Sequence, residues 1–176
     1  MIGAHLIAMA GLPGAGKSSI ADGLCRVLGA TLLAVDPIEA AMWRSGLDRD
    51  ATGRAAYEVA EALAAENLRQ GQTVIIDAVN PVEEARLMWL KTAQSLTLPI
   101  SYIEAICSDE AVHEARIEAR VRGITGMPEV TWARVQQRKA EYQTWSHPRL
   151  VLDTSKTPVN DLVADALAYV RRAGAL

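Results

Sequence analysis

The sequence is short of cysteine, of histidine and of surplus charge, and each shortage excludes something. Its two cysteines, Cys25 and Cys107, have no metal or redox spacing. They read as small buried residues in a reducing compartment. His5, His113 and His147 have no triad or metal constellation around them. The formal net charge is −3, so no basic bias suggests a duplex nucleic-acid binder, and only a local basic patch would serve such a partner. No apolar stretch reaches about 18 residues, so no membrane-crossing helix and no membrane partner are expected. The first apolar run begins at residue 5, without the charged-then-apolar layout of a signal peptide, and cytoplasm is the expected compartment.

What is present is a hydrophobic half of 176 residues, enough for one domain with a full core. Residues 11–18 read Gly-Leu-Pro-Gly-Ala-Gly-Lys-Ser, matching G-x-x-x-x-G-K-[ST], the phosphate-binding P-loop. Gly11, Gly14 and Gly16 let successive N–H groups point into one concavity. Lys17 brings a mobile charge for the β- and γ-phosphates, and the Ser18 hydroxyl is placed to ligate Mg²⁺. An apolar run, 5–10, precedes the loop. Ile20, Leu24, Val27 and Leu28 follow it as a helical stripe ending near Gly29. Strand, glycine loop and helix form the context in which this motif binds a nucleotide.

Further apolar runs at 31–35, 73–76, 100–106 and 150–152 alternate with helical patterns and show little polar alternation, as in strands of a parallel sheet covered on both faces. Asn80-Pro81-Val82-Glu83 reads as an N-cap, a first-turn proline and an acidic third position. Thr157-Pro158 opens a last helix the same way, running to about Arg172. Another helix begins at Ser108-Asp109-Glu110 and ends near Gly123. The stretch 37–57 is the least regular.

Ligands of such sheets bind beyond the carboxyl ends of the strands. Asp36 and Asp77 stand there. Asp77 closes an apolar run in the manner of an aspartate that holds Mg²⁺ with Ser18. Asp36 is placed to orient an acceptor hydroxyl or take its proton. Each is alternatively an Asx turn or a helix cap. Asn80 reads equally as a cap or as an acceptor-binding amide. On the helix from about 109 to 122, Glu110, Glu114 and Glu118 form one stripe, and Arg116 and Arg120 another. About 200° of rotation separates Arg116 and Arg120 from Glu114 and Glu118. An arginine pair turned from its helix's carboxylates suits an external anion such as a transferring phosphoryl group. Otherwise it belongs to a solvated, charge-rich helix. Arg122 is spaced to pair with Glu118. Residues 123–128, with two glycines, suit a lid hinge. The polar loop after the last strand, Thr154 within it, either contacts the adenine or simply caps the last helix. Trp43, Arg44, Arg49 and Arg54 fall in the segment that should overhang the acceptor. Trp43 is more often packing than platform. Trp89, Trp132 and Trp145 read as structural.

Together, the P-loop, the aspartate after the second strand, Ile-Ile-Asp-Ala-Val-Asn after the third, the Arg-x-x-x-Arg helix and the terminal Val-Leu-Asp-Thr-Ser resemble the small P-loop kinases. These include gluconate and shikimate kinases, chloramphenicol phosphotransferase, polynucleotide kinase domains and zeta toxins. The resemblance covers nearly the whole chain. It implies a three-layer αβα P-loop NTPase fold with a five-stranded parallel sheet in the order 2-3-1-4-5 and a small helical lid, about 109–128, in one kinase domain. It implies that Gly11, Pro13, Gly14, Ala15, Gly16, Lys17, Ser18 and Ser19 bind the phosphates of ATP, with Arg116 and Thr154 also on the nucleotide. Ser18 and Asp77 would serve Mg²⁺. Lys17, Asp36, Arg116 and Arg120 would be catalytic, Asp36 as base and the arginines on the lid. Asp36, Trp43, Arg44, Asp77 and Asn80 would line the acceptor site, about 37–57.

Polynucleotide kinases carry an arginine three residues after the base, where this chain has Glu39. Shikimate kinases carry an aspartate two residues after it, where this chain has Ile38. The reading is therefore an ATP-dependent kinase acting on a hydroxyl of a small molecule, with the acceptor's identity and the oligomeric state open. The alternatives are a macromolecular kinase, or an ATPase or switch working through a partner. A GTPase would show Asn-Lys-x-Asp, and none is present. A motor of the larger AAA class would need more chain.

Overall fold

A computed structural model describes residues 3–174. Five strands, β1 (Leu6–Ala10), β2 (Thr31–Ala34), β3 (Val74–Asp77), β4 (Ile100–Ile106) and β5 (Leu150–Asp153), form one parallel sheet in the order β2-β3-β1-β4-β5. The resemblance implied this order. In the central strand, Ile7 is in register with Ile75 of β3 and Ser101 of β4.

Both faces of β1 are covered, which is why the strand carries no polar alternation. Leu6 and Ala8 face a core with Val74, Ile76 and Trp89. Ile7 and Met9 face another with Ile20, Leu24 and Leu162. Helices α1 (Lys17–Leu28) and α7 (Val159–Ala173) cover the second face. They pack so closely that a β-carbon on Gly23 would lie 2.4 Å from Val163 Cγ2. The first face is covered by α3 (Arg49–Arg69) and α4 (Glu83–Ser95). Ala56, Ala60 and Ala64 recur every fourth residue on α3 and are fully buried. This small-residue ridge lets the long helix lie close to its neighbours.

Several local expectations need correction. Residues 37–57 are regular: α2 (Val35–Arg44) follows β2 without a loop, and α3 begins at an Asp48 cap that accepts from Asp50 N–H. Asp36 therefore sits in the first turn of α2, two residues beyond the strand end. The cap of α4 is Val82, not Asn80, and α7 starts after Pro158. Helix α5 (Glu110–Glu118) is shorter than expected. A further helix, α6 (Trp132–Glu141), is capped by Thr131.

Behind the site, Arg86 of α4 is fully buried. It donates to the carbonyls of Asn80, Pro81, Gln143 and Thr144 at 2.8–3.1 Å, and its guanidinium lies 4.0 Å from the Trp145 ring centroid. This side chain bolts the segment following α6 to the loop following β3. No helix among the described residues is long and apolar enough to cross a membrane.

Candidate active site

The P-loop lies between β1 and α1, and its glycines are demanded by sterics. Gly11 has φ +126°, and a β-carbon there would fall 2.1 Å from the Ala105 carbonyl oxygen of β4. Gly16 has φ +92°, and a β-carbon would press on Thr154 at 2.9 Å. The loop is also tied from Gly11 N–H to the Val79 carbonyl.

Thr154, just past β5, is buried under the loop. Its hydroxyl lies 3.0 Å from the Ala15 carbonyl and accepts from Arg116 Nη1 at 2.7 Å; Arg116 Nη2 reaches the Thr154 carbonyl at 2.9 Å. His113 of α5 meets the Pro13 carbonyl at 2.7 Å. Sequence reasoning gave His113 no partner, and the interaction is with backbone, which leaves no mark in residue spacing.

Lys17 is buried and its ammonium donates to the Leu12 carbonyl at 3.0 Å. Burial lowers its pKa, Asp77 and Asp36 raise it, and Arg120 and Arg122 lower it further. Ser18 Oγ donates to Asp77 Oδ2 at 2.6 Å. The hydroxyl and the carboxylate expected to share a cation are thus in contact. Among the described residues no group of three metal-ligating side chains exists. A magnesium ion here would draw its remaining oxygens from phosphate and water, as this ion commonly does.

A cavity of about 940 Å³ opens in front of Lys17 and Ser18. Asp36 and Asp77 are in its wall, with Glu39 and Trp43 of α2, Tyr57 of α3, and Arg120 and Arg122 of the segment between α5 and α6. Two arginines do converge on the site, but they are Arg120 and Arg122. Arg116 is one half of the expected pair, and α5 ends before Arg120, so the helical stripe never forms. Arg122 does not meet Glu118; it makes an ion pair with Asp36, whose side chain is 34% exposed. Arg120 Nη1 is buried and finds no hydrogen-bond partner among the described residues. Burial and the neighbouring Arg122 lower the Arg120 pKa, while Asp36 raises it. A buried, unpaired guanidinium N–H beside a P-loop fits an anionic oxygen.

Asn80, expected as a cap or as an acceptor contact, is fully buried. Its Nδ2 donates to the Met9 carbonyl at 2.7 Å and its Oδ1 accepts from Trp89 Nε1 at 2.8 Å. Both ends of the amide are spent in the core. Arg44 reaches from α2 to the Thr125 carbonyl between α5 and α6 and is not in the cavity wall. Trp43 donates to Thr52 Oγ1 at 2.6 Å and carries Arg49 4.7 Å over its ring, with part of the indole left to the cavity. Ser19 is exposed on α1.

None of the curated proteins matches the sequence. Similar solved structures exist. A putative kinase from Chloroflexus aurantiacus superposes with a TM-score of 0.76 at 20% identity, covering 94% of this chain and 98% of that one. A sugar kinase from Janibacter sp. gives 0.72 at 19%, covering 98% and 96%. The APS kinase of Mycobacterium tuberculosis, in complex with AMPPNP and APS, gives 0.72 at 17%, covering 97% and 99%. At these identities the likeness is one of fold, that of the small P-loop kinases. A family model described as AAA domain matches residues 6–145, most of the chain, and the protein belongs to that family.

Proposed function

We propose that this protein is a kinase that transfers the γ-phosphoryl group of ATP to a hydroxyl of a small molecule. The observation that carries this is the convergence of Asp36, Lys17, the Ser18–Asp77 pair and two arginines on one cavity. Binding alone would need the loop and the cation site. An aspartate facing them across an open cavity is what an acceptor needs. The same fold in a sugar kinase and in an APS kinase holding AMPPNP and APS supports the reading.

In this reading the P-loop amides and Lys17 hold the β- and γ-phosphates, and Ser18 and Asp77 would hold a Mg²⁺ ion, which would neutralise charge on the phosphate oxygens. The acceptor oxygen attacks the γ-phosphorus in line. The bond from that phosphorus to the β–γ bridging oxygen breaks, ADP departs, and the hydroxyl proton passes to Asp36. Arg120 and Arg122 spread the charge developing on the equatorial oxygens. Arg122 must exchange Asp36 for phosphate, which frees the base for the acceptor hydroxyl. Arg116 and Thr154 set the back of the P-loop beside the nucleotide. Lid, acceptor wall and P-loop act as one kinase domain in the cytoplasm.

The test is ADP release screened across sugars, nucleosides, amino alcohols and 5′-hydroxyl oligonucleotides, with Asp36→Asn beside the wild type. Acceptor-dependent ADP release that falls about 100-fold or more in the variant supports the kinase. Undiminished turnover in Asp36→Asn refutes it.

A further inference from the structure

The acceptor wall of the cavity has one feature that packing does not explain. Gly53 stands inside α3, where glycine costs about 0.5–1 kcal/mol relative to alanine. A β-carbon there would meet only Glu39 Oε1, at 3.8 Å. The fold has room for alanine, yet the position is bare, and the bare face looks onto the cavity beside Glu39.

Glu39 lies one turn after Asp36 on α2, and both side chains line the cavity. Residues three apart on a helix place their β-carbons about 5–6 Å from one another. Thr52 Oγ1 lies 3.3 Å from Glu39 Oε1 and 3.0 Å from the Arg49 carbonyl, and its single proton serves one of them at a time. No cation is within ion-pair distance of Glu39 among the described residues, so its carboxylate keeps lone pairs for a donor. Tyr57, one turn beyond Gly53 on α3, accepts from Asn80 N–H at 3.2 Å and retains its own proton. Burial drives its pKa up to about 12, which keeps it a donor. Of the cations nearby, Arg138 acts on Glu39 through space without an ion pair, and the others are engaged or stand on another wall. Arg54 pairs with Glu58, Arg49 lies on Trp43, and Arg134 and Arg138 project from α6.

We propose that Glu39 and the open face of Gly53 form the subsite that selects the acceptor, and that the acceptor carries a second hydroxyl or an ammonium group on a carbon next to, or next but one from, the hydroxyl that is phosphorylated. The acceptor class is a polyol, sugar or amino alcohol. A carboxylate or phosphate at that position would face two carboxylates and be rejected. The inference rests on the kinase reading above, with Asp36 taking the reacting hydroxyl and Glu39 the neighbouring donor.

The test measures ADP release and product mass with sugar alcohols and aldoses, amino sugars and aminocyclitols, aldonates, and sugar phosphates. Wild-type protein is expected to phosphorylate members of the first two groups and to leave the last two. Glu39→Gln should raise the acceptor KM about 10- to 100-fold, more for an amine than for a hydroxyl, with the ATP KM unchanged. Gly53→Ala should raise the Tm while raising the acceptor KM about tenfold. The rise in Tm shows that the KM effect is not loss of fold. An aldonate or sugar phosphate as the best acceptor overturns the proposal, as does an unchanged acceptor KM in both variants. If the wild type phosphorylates nothing while Mg-ATP still raises its Tm, the kinase reading falls and takes this inference with it.

Discussion

Replacing Thr154 by valine keeps the side-chain shape and deletes one hydroxyl, the one that joins the P-loop to the strand β5 edge and to Arg116. The loss at Arg116 Nη1 is of a bond to a charged group, about 1.5–3 kcal/mol, and the loss at the Ala15 carbonyl is of a neutral one, about 0.5–1.5 kcal/mol. The structure therefore predicts a cost of about 2–4 kcal/mol. Urea denaturation should show a lower midpoint with an unchanged slope. Arg116→Met removes the other partner, and the double variant should cost about 1–2 kcal/mol less than the sum of the singles. Because the Thr154 hydroxyl also holds the Ala15 carbonyl within the P-loop, the Thr154→Val protein should gain less Tm from saturating Mg-ATP than the wild type does. A cost below about 0.5 kcal/mol, or strict additivity with Arg116→Met, would show that the hydroxyl does not brace the loop.

Two further outcomes concern His5 and Gly11. Burial pulls the pKa of His5, 1% exposed, down to about 4, so between about pH 6.5 and 4 the unfolded chain binds a proton that the folded one refuses. Stability from this residue is complete at pH 7 and drains as pH falls through that window, by about 2–3 kcal/mol near pH 4.5. His5→Gln, which can still meet Ser101, should remove that part of the slope in urea titrations at pH 7 and 4.5, and identical slopes would refute the assignment. Gly11→Ala would drive a β-carbon into the Ala105 carbonyl at a left-handed φ. It should cost about 3 kcal/mol or more and abolish the Mg-ATP shift in Tm; a wild-type shift would mean that the loop tolerates the intrusion.

The sheet was legible because each strand is a continuous apolar run, and runs buried on both faces have no rival reading as surface. The phosphate loop was legible because its spacing is set by backbone geometry, at Gly11 and Gly16 above all. Helix α3 leaves only a faint pattern because its buried face is alanine, at 56, 60 and 64, and alanine makes a weak hydrophobic stripe. Of the arginine pair Arg116 and Arg120, only Arg120 reaches the cavity. Arg116 and Arg120 share a face only while the helix continues, and it ends at Glu118, so a loop conformation without periodic signature decides that Arg122 joins Arg120. Asn80 looked like a cap because Asn-Pro so often is one. Its amide is spent instead on Met9 and Trp89, contacts across β1 and α4 that no local pattern announces. Gly53 and Glu39 stand on neighbouring helices, and only their juxtaposition makes either notable.

The clasp formed by Arg86 bears on how the site opens and shuts. It fixes the chain just after α6, while Arg116 and His113 fix α5 to the P-loop side. The segment between α5 and α6 thus has two planted feet, and the stretch 119–131, with Arg120, Arg122, Gly123 and Gly126, is held between them by Arg44 on the Thr125 carbonyl and by Arg122 on Asp36. Opening would then be the release of those two contacts, with the α6 wall of the cavity standing still. Under the proposed kinase function, ADP release would wait on this short arginine-bearing span, while the α6 side of the cavity would keep its shape from one cycle to the next.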